Sequence, residues 1–115
     1  MKTTPAILRL LLSGAAALFA GAFAPAFALD EDAATALAKK SECNKCHAVD
    51  KKKEGPPYKE TAAKYKDKAD AEQKLYTHLT TNPKVKVDGK EEEHTGVKTK
   101  DEAAIKNLIA YILSR

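Results

Sequence analysis

Apolar positions recur at helical spacing in four stretches of the chain and fail to do so in a fifth. From Asp30 to Cys43 the pattern reads as a helix with Ala33, Ala36, Leu37 and Lys40 on one face. Asp30 to Asp32 load its first turn with the negative charge that the helix dipole favours there. The polar stretch ECNKCHAVDKKKEGPP follows, closed by Gly55-Pro56-Pro57. Tyr58 to Lys66 predicts a short helix with Tyr58, Ala62 and Tyr65 on one side. Ala69 to Thr81 predicts another, with Ala71, Leu75, His78 and Leu79 on one stripe, and Asn82-Pro83 stops it. Lys84 to Lys98 has no helical period; at most Val85-Lys86-Val87 admits a brief extended segment. Thr99-x-x-Glu102 then has the form of a capping box. Behind it Ile105, Leu108, Ile109, Ile112 and Leu113 recur at three and four residues and make a wide apolar face. The expected class is all-α: a compact domain of about four helices, with one long loop before the last.

One apolar run stands outside this pattern. Lys2 and Arg9 precede an Ala/Leu-rich segment from Leu10 to Ala24, and Ala26-Phe27-Ala28 closes it as an A-x-A site. That is the form of a secretory signal peptide. An uncleaved anchor is the alternative its length nearly permits, but the A-x-A site and the abrupt acidic LDEDAA favour cleavage. Residues 1–28 are therefore expected to be a leader and 29–115 a single domain exported to the periplasm, touching a membrane only through the leader before cleavage. Without the leader, 18 Lys+Arg stand against 16 Asp+Glu, a net charge of +2, and no basic tract argues for nucleic acid. Neither Phe nor Trp remains, so Tyr is the only aromatic. A domain this small often needs a disulfide, metal or cofactor to complete its core.

Both cysteines of the chain lie in Cys43-Asn44-Lys45-Cys46-His47, a C-x-x-C-H motif. This spacing suits covalent haem attachment: two thiols add to the two vinyl groups of one porphyrin, and the adjacent imidazole is held under the iron. Three rivals exist. A disulfide suits an exported protein but makes His47 an accident. A redox dithiol expects a βαβ context that is missing, and a structural zinc site wants four ligands, which Cys43, Cys46, His47 and a remote histidine supply poorly. Export, the complete motif and the thin aromatic core favour one haem c per chain.

With these residues in view, nearly all of the chain after the leader resembles the small bacterial class I c-type cytochromes. The resemblance rests on the helix leading into C-x-x-C-H, on GPPYKETAAKYK and DAEQKLYTHLTTN, and on the terminal helix DEAAIKNLIAYILSR. It implies the compact cytochrome c fold wrapped around one covalently attached haem. It also implies that the carbonyl of Pro56, nine residues after His47, accepts the proximal imidazole N–H, which would orient the ring and raise its basicity.

The chain departs from that family in one respect. Relatives usually bring a methionine from the loop before the last helix to the second face of the iron, and the only Met here is Met1. The sixth position then falls to His94, His78, a lysine, water or nothing. His94 is favoured: it lies in the loop five residues before Thr99 and 17 before Tyr111, between Gly89 and Gly96. His78, on a helix stripe, is expected to contact a haem propionate or to be a satisfied core histidine. Ligation by His47 and His94 predicts a low-spin haem with a potential below that of His/Met relatives. Glu91 to Glu93 read as a solvated face, or as a field that holds a protonated, detached His94. Lys51 to Lys53, with Lys45, read as a solvated loop or as a surface that steers an acidic redox partner. The expected function is electron transfer by a monomeric, non-enzymatic carrier serving redox partner proteins. The alternatives are a gas-binding or redox-sensing haem protein in which His94 detaches, and a haem subunit docked to a larger oxidoreductase.

Overall fold

The computed structural model describes residues 28–115; the proposed leader, Ala28 apart, lies outside the described residues. Helix α1 spans Glu31–Lys40 and is capped by Asp30, whose side chain accepts from the amide of Ala33 at 2.9 Å. The expected extension to Cys43 does not occur. Glu42 adopts φ 63, and this left-handed residue turns the chain out of the helix. A 3-10 turn, Cys43–Lys45, follows directly. The face of α1 also differs from expectation. Ala34, Leu37 and Ala38 are buried, while Ala33, Ala36 and Lys40 are exposed. In an alanine-rich helix the neighbour chooses the face, and here the choice is tied down at 77 residues' separation. Asp30 N donates to Asn107 Oδ1 at 3.0 Å, and Asn107 Nδ2 donates to Asp30 O at 2.8 Å.

Helices α2, Tyr58–Tyr65, and α3, Ala71–Thr80, lie close to their expected bounds. Tyr58 and Ala62 are buried on α2; Ala71, Leu75 and Leu79 are buried on α3. Helix α4, Glu102–Leu113, packs against α1, α2 and α3. Its Ile105, Leu108 and Ile109 are at most 1% exposed, so each contributes roughly 1.5–3 kcal/mol of burial and α4 is the centre of the core. The cap of α4 is one correction. Asp101, not Thr99, is the N-cap; its Oδ1 accepts from Ala103 and Ala104 at 3.0 and 3.3 Å. Thr99 Oγ1 sits one step outside and accepts from Asp101 N at 3.1 Å. A carboxylate at this position satisfies two free amides and faces the positive end of the dipole.

The stretch expected to be a long loop is a second correction. It folds as an antiparallel hairpin of β1, Lys84–Val87, and β2, Lys90–Glu93, with Lys84 opposite Glu93 and Val87 opposite Lys90. Its two-residue turn is Asp88-Gly89, both at positive φ (49 and 77), as the twist of a tight hairpin requires. The fold is thus mostly helical with one small two-stranded sheet. Among the described residues no helix is long and apolar enough to cross a membrane.

Candidate functional site

The residues singled out in the sequence come from two separate places in the fold. On one side Cys43 O accepts from the amides of Cys46 at 3.2 Å and His47 at 2.9 Å, winding the C-x-x-C-H side chains into one tight arc. Both cysteines are unbridged and half-buried. Burial pushes the Cys43 thiol up. Donation to Glu54 Oε2 at 3.2 Å, and then burial, push the Cys46 thiol up. A redox dithiol needs the opposite shift in its attacking cysteine. The disulfide is absent as well, and among the described residues no group of three or more His, Cys, Asp or Glu is gathered to hold a metal ion unaided. A structural zinc site therefore lacks its ligand set.

His47 is fixed in detail. Its Nδ1 lies 2.8 Å from Pro56 O. A carbonyl oxygen can only accept, so Nδ1 carries the proton and Nε2 keeps its lone pair for a metal. The loop that presents Pro56 is itself closed, by Gly55 N to Cys46 O at 2.7 Å and Tyr58 N to Ala48 O at 2.9 Å. Tyr58 stacks on the imidazole with centroids 5.7 Å apart and planes 19° apart. Gly55 presses against the same ring: a Cβ there would overlap Cε1 and stand 2.7 Å from Nδ1.

His94 arrives from the hairpin. Its amide donates to Pro83 O at 2.8 Å, continuing the β1–β2 ladder by one pair. Three residues later Val97 N donates to Leu79 O at 3.0 Å and ties the chain to the end of α3. Gly96 makes this approach possible, since a Cβ would stand 2.9 Å from Leu79 O and overlap Asn82 Oδ1. The backbone of His94 is held on both sides, but its half-buried ring is not. Nδ1 is buried without a hydrogen-bond partner. Burial first, then the neighbouring His78 and His47, lower its pKa to about 4.

The fold brings the two histidines together. The rings of His47 and His94 are 6.2 Å apart between centroids, with planes 52° apart. Metal–imidazole bonds of about 2 Å on either side of one ion, plus about 1 Å from each nitrogen to its ring centre, sum to about 6 Å. Two thiols in one arc, a free Nε2 and a second imidazole at this separation fit a porphyrin iron held from both faces. The Nδ1 of His94, buried without a partner, leaves that ring unanchored by the protein. His78 is half-buried and stands 4.3 Å from His94 between ring centroids; burial, then the charges of His47 and Lys64, lower its pKa.

The charged runs sort differently. Glu91, Glu92 and Glu93 are all exposed, and Glu91 is paired with Lys84 at 3.5 Å. Their exposure fits a solvated face. Lys45 pairs with Glu42 at 2.6 Å, and Lys53 donates to the carbonyl of Asn44. Lys51 and Lys52 remain exposed. Three contributors escaped the sequence reading: Gly55 as a crowded support, Tyr58 as a stacking partner, and Asn82 under Gly96. Gly55-Pro56 pointed to the proline carbonyl rather than to the glycine, and Asn82-Pro83 only to a helix stop.

Comparison with known proteins identifies the family. A family model described as Cytochrome c matches residues 31–115. No curated protein matches. Among solved structures the chain is similar to class 1 cytochrome MtoD from Sideroxydans lithotrophicus ES-1, at 54% identity over 76% of this chain and 97% of that one, with a TM-score of 0.72. It is also similar to wild-type cytochrome c552 of Nitrosomonas europaea, at 32% identity over 70% of this chain and 96% of that one, with a TM-score of 0.55.

Proposed function

Because the chain belongs to the cytochrome c family, whose class I members bind haem c covalently and transfer electrons, we propose that it is a periplasmic carrier of low potential whose iron is held by His47 and His94. When bound, the haem supplies a one-electron ferric/ferrous couple. The chain's own residues do the rest. Cys43 and Cys46 anchor the porphyrin, the Pro56 carbonyl fixes the tautomer of His47, and Gly55 and Tyr58 lock its ring. His94 closes the second face in place of the family's methionine. A second imidazole stabilises ferric iron more than a thioether does, so the potential falls below that of His/Met relatives.

The observation that carries this reading is the 6.2 Å separation of the His47 and His94 rings. Optical and EPR spectra of the holoprotein test it. His94→Ala should lose the low-spin signal while His78→Ala retains it; the reverse pattern would assign the ligand to His78 and overturn the proposal. The leader at residues 1–28 is tested by the N-terminal sequence of protein recovered from the periplasm, which should begin at Leu29.

One observation favours a gas-binding function instead: the unpartnered Nδ1 leaves nothing to hold the His94 ring on the metal. Carbon monoxide added to the reduced protein separates the two. An unchanged spectrum fits a carrier, and a prompt shift fits a gas-binding site.

A further inference from the structure

The hairpin carries two apolar side chains that the protein's own core does not use. Along β1 exposure alternates, with Lys84 and Lys86 exposed and Val85 and Val87 half-buried; β2 is exposed throughout. Neither valine belongs to the hydrophobic core or packs against it. The register explains which way they face. Lys84 and Lys86 stand opposite Glu93 and Glu91, so these four share one face of the sheet, where Lys84 and Glu91 pair. Val85 and Val87 stand opposite Glu92 and Lys90 on the other face.

Two observations give that second face a direction. The ladder continues through the bond from His94 N to Pro83 O, so His94 follows Glu92 by one strand period and projects on the same side as Val85 and Val87. The His94 ring in turn lies 6.2 Å from the His47 ring between centroids, so this side of the sheet faces the C-x-x-C-H arc. The valine face therefore looks where His94 looks, toward the C-x-x-C-H arc. What lies between those two regions in a cytochrome c is the porphyrin.

We propose that the β1–β2 hairpin is a flap over the haem on the side of His94, with Val85 and Val87 laid against the porphyrin. The hairpin then does two jobs with one ladder: its base delivers His94, and its valines shed water from the second face. The cofactor would complete the burial of Val85 and Val87, which the protein alone leaves half-exposed. The ion-paired opposite face keeps the hairpin soluble while this face is covered. An apolar cover of this kind raises the potential relative to a solvated bis-imidazole haem and slows the entry of outside ligands. The orientation rests on His94 facing the iron, but the cover can be measured separately.

Proton NMR of the reduced holoprotein provides the test. Methyl groups packed on a porphyrin are moved upfield by its ring current, so the Val85 and Val87 methyls should lie well upfield of the ordinary methyl range. Val85→Ser and Val87→Ser should each remove their own shifted signals. The double variant should lower the potential and speed the uptake of carbon monoxide relative to the parent. Lys86→Gln, on the opposite face, should leave shifted signals and potential in place. Valine methyls at ordinary shifts in the parent overturn the flap, whether or not the serine variants fold. EPR of His94→Ala reports separately on the ligand, so a covered valine face with a different sixth ligand would be recognised as such.

Discussion

The two halves of the site are held in opposite ways. Around His47 the side chain is constrained: Nδ1 is bonded to Pro56, Tyr58 stacks on the ring and Gly55 presses its edge. Around His94 the backbone is constrained, by Pro83 on one side and Leu79 on the other, while the ring has no hydrogen bond at Nδ1. One histidine is oriented before any ligand arrives; the other is delivered to the right place and left for the ligand to orient. The difference teaches that two histidines facing one another across a site need not be pre-organised to the same degree. His47 lies next to Cys43 and Cys46, and His94 is carried on a separate small unit, the hairpin.

The largest expected contrast comes from deleting each ring. His47→Ala should prevent accumulation of a correctly loaded protein, whereas His94→Ala should keep its haem, still covalently attached through Cys43 and Cys46, with a high-spin spectrum. Haem staining of a denaturing gel beside an absorption spectrum reads both. Equal loss of haem in the two variants would break the contrast. Crowding the two glycines sharpens it further. Gly55→Ala drives a methyl into the His47 ring and Gly96→Ala drives one into Leu79 O and the Asn82 side chain. Each should cost about 1–3 kcal/mol, the range for overpacking a filled site, measurable by denaturant titration of the holoprotein. They should differ in where the damage shows. Gly55→Ala should perturb the NMR signal of the His47 Nδ1 proton, and Gly96→Ala should instead open the second face to carbon monoxide.

Acid is a gentler probe. The pKa of His94 is lowered to about 4 by burial and then by its two histidine neighbours. Between the ordinary histidine value of about 6.5 and that lowered one, the unfolded chain binds the proton and the folded chain does not. Stability from this group is therefore fully present above about pH 6.5 and falls as pH drops toward 4. Until then the ring stays unprotonated and free to bind a metal, so the low-spin spectrum should hold from neutrality to about pH 5. Its loss near pH 6 would show that His94 is more easily protonated than its surroundings imply.

The same contrast governs what the sequence made legible. The His47 side is local: the C-x-x-C-H motif and the Pro56 that orients its histidine lie within 14 residues, from Cys43 to Pro56, so the motif's spacing carried the attachment chemistry and the family resemblance supplied the role of Pro56. His94 could be nominated, because Met is missing and the loop position is right, but the hairpin that presents it could not be seen. The Asp88-Gly89 turn was a usable signal. It was masked because Lys90 to Glu93 has no apolar alternation, so β2 reads as a polar loop. The face of α1 and the cap of α4 failed for a related reason. Ala33, Ala34, Ala36 and Ala38 differ little in hydrophobicity, and Thr99 and Asp101 are both good caps. For α1 a distant contact decides, that of Asp30 with Asn107; for α4 the Asp101 carboxylate takes both free amides, and Thr99 Oγ1 accepts only from Asp101 N.

The smallest expected effect concerns the surface rather than the ligands. The chain beside His47 carries Lys51 and Lys52 exposed, while the strand that leads into His94 carries Glu91 to Glu93. A partner with an acidic docking face should therefore approach from the His47 side. Lys51→Glu/Lys52→Glu should slow electron transfer to such a partner about tenfold at low ionic strength, at the lower end of steering effects, and the deficit should vanish as salt screens it. Potential and stability should stay nearly unchanged, since both lysines are exposed. Glu91→Gln/Glu93→Gln should leave the rate as it was or raise it slightly. If the glutamate variant is the slower of the two, the partner reads the hairpin side instead, and docking is coupled to the histidine that is held by its backbone alone.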